Sequence, residues 1–111
     1  MTVIDKVYET FENASDKIQE FLDSHQFSDV HGAIILKQEE LSEKMYELDL
    51  ELIKAQSDNL AQFDQQVAEM KKTAKEIIEE LDAADNFIAS AAKITKSIDK
   101  ALTQIGRLFG N

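Results

Sequence analysis

The spacing of apolar residues along the chain predicts long α-helices. Near the N-terminus apolar side chains recur every three or four positions, which places them on one face of a helix. The members of this first stripe are Ile4, Val7, Phe11, Ala14, Ile18 and Phe21. Acidic residues fill the positions between them, and Thr2 is a suitable N-cap, so we predict a helix over residues 2–23.

A second apolar pattern starts after the turn-forming residues 24–28 and predicts a helix over residues 29–56. The pattern slips by one position at residues 57–59, and a new register then runs from Leu60 to Phe109. A small polar cluster at residues 82–86 interrupts this long run. Both interruptions contain helix-capping residues but neither Gly nor Pro, so each could be a turn or continuous helix.

If both interruptions are turns, the chain is an all-α, antiparallel helical bundle of three to four helices. The predicted helices are 2–23, 29–56, 59–83 and 86–109, within a single helical domain over residues 1–111. If neither is a turn, a continuous helix over residues 59–109 would be about 77 Å long at 1.5 Å per residue. The alternative architecture is therefore an elongated coiled-coil hairpin or an oligomer.

The long register predicts a surface that packs against another helix, because a repeat near 3.5 residues keeps one face turned towards its neighbour. We call ten of its apolar residues the seam: Leu60, Phe63, Val67, Met70, Ile77, Leu81, Ile88, Ile98, Leu102 and Ile105. The sequence predicts that the seam contacts a helix, either of this chain or of a partner.

The charge is unevenly distributed along the chain, whose formal net charge is −10. Residues 1–85 contain 21 acidic and 8 basic residues, whereas residues 86–111 contain one acidic and four basic residues. The acidic majority disfavours direct binding to nucleic acid, which depends on clustered Lys and Arg. A predicted acidic face could instead imitate the phosphates of DNA, and it consists of Glu39, Glu40, Glu43 and Glu47.

The residue types needed for catalysis or metal binding do not form a recognisable pattern. The chain has no cysteine, no glycine-rich phosphate loop and no glycine-flanked nucleophile. His25, Asp29 and His31 could meet near the first turn, but their spacing matches no closed zinc site, and no Glu-x-x-His pair supports a di-iron centre. We therefore predict no enzymatic activity, no cofactor and no metal centre.

The most favoured function is a non-enzymatic helical protein–protein interaction module, either a self-assembling subunit or a small acidic adaptor or chaperone. In size, charge and pattern the chain resembles small acidic helical chaperones and subunits of bacterial secretion systems. The partner is expected to be a protein, in a homo-oligomer or a hetero-complex. The alternative is an acidic inhibitor or DNA-mimic protein that blocks a basic site on its target.

Neither a signal-peptide pattern nor an apolar run of the length needed to span a membrane occurs in the sequence. We therefore expect no integral membrane span and a cytoplasmic location. A leaderless export route is compatible with the same sequence.

Overall fold

The computed structural model describes residues 2–24, 29–83 and 87–109, and these residues form five α-helices. The helices are α1 (Val3–Asp23), α2 (Asp29–Glu47), α3 (Leu50–Gln56), α4 (Leu60–Asp82) and α5 (Phe87–Phe109). They pack against one another as a helical bundle, which confirms the predicted fold class for the described part of the chain. Its longest dimension is 46 Å, so the alternative with one uninterrupted helix over residues 59–109 is wrong.

Helix α1 forms as its sequence predicts. Thr2 caps its N-terminus with a capping box, in which the Thr2 hydroxyl accepts a hydrogen bond from the Asp5 backbone N–H at 3.1 Å. In return the Asp5 carboxylate accepts one from the Thr2 backbone N–H at 3.2 Å. Every member of the first apolar stripe is buried, and Leu22 joins them.

The prediction of one continuous helix over residues 29–56 is wrong, because the helix breaks between Glu47 and Leu50. Leu48 and Leu50 are both buried, yet in a continuous α-helix residues two positions apart point in nearly opposite directions. The break allows both leucines to reach the same core. Asp49 then caps α3, its side chain accepting a hydrogen bond of 3.0 Å from the Leu52 backbone N–H.

The four long helices pack around the core in the order α1, α4, α5, α2, so α1 and α5 lie diagonally opposite each other, as do α2 and α4. Helices α1 and α4 are parallel neighbours, with Lys17 bound to Asp82 near their C-terminal ends at 2.7 Å. Helices α2 and α5 are also parallel, and Lys37 binds Asp99 at 2.7 Å. Consecutive long helices run antiparallel, as predicted.

This arrangement explains why a short helix separates α2 from α4. Packed helices lie about 8–10 Å apart, so the diagonal between α2 and α4 is about 13 Å. The seven residues of α3 extend about 10 Å at 1.5 Å per residue and, with residues 57–59, span that distance. Asn59 then caps α4 by accepting a hydrogen bond from the Gln62 backbone N–H at 3.0 Å.

The predicted turn at residues 57–59 is therefore confirmed. At the second interruption α4 ends at Asp82 and α5 begins at Phe87, while residues 84–86 lie outside the described part of the chain. Helix α5 turns a somewhat different face to the core than the seam predicts. Its buried residues with described side chains are Ala91, Ile94, Ile98, Ala101, Ile105 and Leu108.

Candidate protein-binding surface

Most of the seam lies inside the bundle. Seven of its residues are buried in the core of the chain itself: Phe63, Val67, Met70, Ile77, Leu81, Ile98 and Ile105. Leu102 is half-buried, and the side chain of Ile88 lies outside the described part of the structure. In this conformation the seven buried residues pack helices of one chain together, so they are not available to a partner.

Leu60 departs from the seam prediction, because 53% of its surface is exposed. It is the first residue of α4, directly after the Asn59 cap, and it lines an open cavity between α3 and the N-terminal parts of α1 and α4. The heptad spacing gives Leu60 a core-facing position, but the neighbouring helices leave a cavity beside it, so more than half of its surface is exposed. Leu60 instead contributes to the surface at that end.

Four large apolar side chains are exposed at the end of the bundle that α3 crosses. They are Val3 (64%), Leu52 (53%), Leu60 (53%) and Phe109 (46%). We call this surface the α3 end. In the described part of the chain, two other large apolar residues are exposed, Leu36 (67%) and Tyr46 (92%), and both lie on α2. Exposed apolar groups are therefore concentrated at the α3 end.

Two cavities flank α3 at this end. The first cavity, of about 760 Å³, lies between α3 and the N-terminal parts of α1 and α4, and Val3, Ala55 and Leu60 line it. The second cavity, of about 540 Å³, lies on the α5 side, and Leu52 and Phe109 line it. The buried ring of Phe63 lines both cavities, so α3 crosses the surface between them. Each volume falls within the range of about 300–1,000 Å³ seen in ligand-binding pockets.

Helix α3 is attached to the bundle mainly through its N-terminal half. The half-buried Tyr8 on α1 donates a hydrogen bond from its hydroxyl to the Leu48 backbone carbonyl and accepts one from the Leu50 backbone N–H at 3.1 Å. Leu50 is buried and Ile53 half-buried, whereas the remaining residues of α3 are exposed. Sequence analysis did not identify Tyr8, and the signal for it is weak: a half-buried tyrosine usually directs its hydroxyl to a polar partner.

Negative charge surrounds both cavities. Asp58 lines the second cavity and Asp64 lines the first. Among the described residues, five carboxylates line the two cavities: Glu47, Asp49, Glu51, Asp58 and Asp64. All five residues are exposed, and Lys54 is the one cationic residue among the described residues that line these cavities. The apolar surface of the α3 end therefore has an acidic rim.

The predicted acidic face lies on the outer side of α2, where all four of its glutamates are exposed: Glu39, Glu40, Glu43 and Glu47. Two lysines of α2 reduce the negative charge of this face. Lys44 lines a small cleft together with Glu40, and Lys37 on the same helix pairs with Asp99 of α5. Hydrogen bonding to the Asp99 carboxylate and its negative charge raise the pKa of Lys37 above its ordinary value of 10.5.

Neither a metal centre nor a membrane-spanning helix is found among the residues that the structure describes. No group of three or more His, Asp or Glu side chains converges there, and no helix is both long and apolar enough to cross a bilayer. The candidate site at His25, Asp29 and His31 falls outside this part of the structure, because none of its three side chains is described.

Comparison with known proteins gives no relative from which a function could be transferred. No protein-family model, curated protein or solved structure matches this chain. The function therefore has to follow from the chemistry of the surface.

Proposed function

We propose that this chain is a non-enzymatic helical protein–protein interaction module, an adaptor or chaperone, that binds a helical segment of its partner at the α3 end. The observation that carries the proposal is that four of the six exposed large apolar side chains in the described part of the chain lie around two cavities at one end of the bundle. Clustered apolar groups of this kind mark interaction sites, whereas single exposed ones do not.

The exposed apolar side chains at the α3 end supply part of the free energy needed for a complex. Complete burial of a Val, Leu or Phe side chain contributes about 1.5–3 kcal/mol. Val3, Leu52, Leu60 and Phe109 are each roughly half exposed, so docking would add about 1 kcal/mol for each. Further burial of the cavity walls would have to supply the rest, because association itself costs about 4 kcal/mol or more.

The shape of the surface favours a polypeptide over a small molecule. Its apolar side chains project from the helices Val3–Asp23, Leu50–Gln56, Leu60–Asp82 and Phe87–Phe109 instead of lining one enclosed pocket. Projecting side chains beside open cavities can interdigitate with the side chains of a helix, which is the usual way that an amphipathic helix docks in a groove.

The proposal can be tested with a neutral amphipathic peptide of about 18 residues, long enough to form a helix, with leucine on one face and glutamine on the other. Titration of the isotope-labelled chain should shift amide resonances of α3 and the start of α4. Leu52→Gln and Leu60→Gln should each weaken binding about fivefold, the equivalent of about 1 kcal/mol.

Leu36→Gln is the matched control, because Leu36 is also an exposed leucine on a helix but lies on α2, away from the α3 end. It should leave the affinity unchanged, and glutamine keeps a good helix propensity at all three positions. If Leu36→Gln weakens binding as much as Leu60→Gln, or if the shifts spread over the whole bundle, the α3 end is not the binding surface.

The acidic inhibitor remains a second candidate function because the bundle is electrostatically two-sided. Helices α1 and α2 together carry 11 acidic and four basic residues, whereas α4 and α5 together carry seven of each. An inhibitor of this kind would bind an unstructured lysine-rich peptide that has no apolar residues, with strong salt dependence. If the chain is such an inhibitor, replacing Glu39, Glu40, Glu43 and Glu47 by Gln abolishes binding of the lysine-rich peptide, and the neutral amphipathic peptide does not bind. If the chain is an interaction module, the neutral amphipathic peptide binds, and it still binds after the replacement.

A further inference from the structure

We infer that the segment bound at the α3 end is a basic amphipathic helix of another protein, with two apolar anchor residues about two helical turns apart. This inference rests on the proposed function and specifies its partner. It follows from three features of the α3 end: its charge, the separation of its two cavities and the location of the chain's own basic residues.

The charge of the rim determines the sign of the charge that the partner helix should carry. Among the residues that the structure describes, five carboxylates and one lysine ammonium group line the two cavities. A docked helix would displace water from these groups and bring its own polar face close to them. Lys and Arg on that face would be attracted, whereas Asp and Glu would be repelled, so the rim selects a basic partner.

The separation of the cavities determines the spacing of the anchors. An α-helix with its side chains is about 10–12 Å wide, and α3 lies between the two cavities. A partner helix that crosses α3 and fills both cavities therefore needs apolar side chains about 10 Å apart along its axis, which corresponds to positions i and i+7. The residues between them on the same face lie over α3 and should be small.

A second copy of this chain does not meet these requirements. If two copies docked through their α3 ends, two acidic rims would face each other, and like charges would oppose the contact. The most basic helix of the chain is α5, but the apolar residues that it would need for docking are already buried in its own bundle, Ile94, Ile98 and Ile105 among them. In the described part of a folded copy, therefore, no helix is both basic and exposed along its apolar face.

The test compares helical peptides that share one apolar face, with leucine at i and i+7 and alanine between them. Their polar faces carry lysine, glutamine or glutamate, and fluorescence anisotropy measures their binding to the complete chain. At about 50 mM NaCl the lysine peptide should bind about tenfold more tightly than the glutamine peptide, and at about 500 mM the two should differ by about twofold, because salt screens exposed charges. The glutamate peptide should bind more weakly than both.

Two variants examine the rim directly. Asp58→Asn and Asp64→Asn each remove one carboxylate, from the second and the first cavity respectively. Each should weaken binding of the lysine peptide about threefold to fivefold and change binding of the glutamine peptide much less. Glu79→Gln is the matched control, because Glu79 is exposed on the same helix as Asp64 but lies about 22 Å further along it, beyond the range of screened charge interactions.

The spacing of the two anchor residues is tested with a further lysine peptide, whose two leucines are at i and i+4. It should bind about tenfold more weakly than the i and i+7 peptide, because it reaches only one cavity. Equal affinity for the two spacings would overturn the assignment of one anchor to each cavity.

The possible results separate this inference from the proposed function. If the glutamine peptide binds at the α3 end and the lysine peptide binds no more tightly, the basic partner is wrong and the interaction module stands. If none of the peptides binds there, both are wrong. If the free chain forms dimers in sedimentation experiments and Leu60→Gln abolishes them, the occupant is a second copy and the inference is overturned.

Discussion

The hydroxyl oxygen of Tyr8 lies 3.1 Å from the backbone nitrogen of Leu50, and it also donates a hydrogen bond to the Leu48 carbonyl. One side chain of α1 therefore contacts both sides of the break that separates α2 from α3. A break in a helix releases backbone groups from their usual partners, and leaving such groups unpaired away from water is unfavourable. Tyr8 satisfies one donor and one acceptor at this point and ties α3 to the bundle.

Tyr8→Phe should destabilise the attachment of α3 more than it destabilises the bundle. The substitution removes two hydrogen bonds and leaves their backbone partners unsatisfied, at a cost of about 1–3 kcal/mol. Hydrogen exchange should become faster in residues 50–56 and change less in α4. Tyr46→Phe is the control, because Tyr46 is 92% exposed and should have no effect. Unchanged exchange in α3 would show that its position does not depend on the hydroxyl.

Replacement of buried seam residues should reveal their role in the core. Ile77→Ala and Ile98→Ala should each lower the free energy of unfolding by about 2–5 kcal/mol, because both residues are fully buried. Leu60→Ala should change it by no more than about 0.5 kcal/mol, since over half of the side chain is exposed. Urea denaturation measures all three. A large loss of stability in Leu60→Ala would mean that the Leu60 side chain is packed into the core.

Apolar packing, not charge, should hold α5 in the bundle. Lys100 of α5 lies 3.5 Å from Glu76 of α4, and both side chains are partly exposed, so Lys100→Glu should cost less than about 1 kcal/mol. Deletion of residues 86–111 should instead expose the core faces of α2 and α4, and the truncated chain should bind a hydrophobic dye or aggregate. A truncated chain that stays monomeric and equally stable would contradict this account.

The stability of the chain should also fall at high pH through two lysines. The Asp82 carboxylate, by hydrogen bond and charge, raises the pKa of Lys17, and Asp99 does the same for Lys37. Since each pKa is raised on folding, the stabilisation is complete below the ordinary lysine value of 10.5 and is lost as the pH rises through the folded-state pKa. The free energy of unfolding, measured by urea denaturation at pH 9 and at pH values above 10.5, should therefore decrease less in the Lys17→Met/Lys37→Met variant than in the parent chain. Equal decreases in the two chains would show that these lysines do not contribute to the loss of stability at high pH.

The first helix and the overall fold class could be predicted from the sequence because their signals are local. An uninterrupted three–four pattern with a Thr-x-x-Asp start is sufficient to place α1 and its buried face. The break at Leu48–Leu50 has only a weak local signal, since Asp49 is a suitable N-cap but leucine favours helices and no Gly or Pro is present. It depends on the position of Tyr8, which is distant in sequence, and on the need to cross the bundle.

The buried face of α5 could not be extrapolated from Leu60. A strict seven-residue repeat drifts by about 20° per heptad relative to a straight α-helix, and the turn after Asp82 adds an unknown rotation. Helix α5 also has apolar residues on both sides of the predicted stripe, so Ile94 and Leu108 are buried while Leu102 is only half-buried. The α3 end was equally inaccessible to sequence analysis, because Val3 and Leu60 become neighbours only through the parallel pairing of α1 and α4.

The diagonal connection between α2 and α4 also has a consequence for the order in which the chain folds. Helices α1 and α2 are consecutive, yet they share the least extensive contact among the neighbouring long helices, and the main partner of each lies more than half a chain length away. Only α4 and α5 are both consecutive and extensively packed. Because local contacts close the shortest loops and form first, the α4–α5 hairpin is expected to fold earliest and then to act as the template on which α1 and α2 assemble. During synthesis, α1 and α2 therefore emerge before the helices that bury their apolar faces exist.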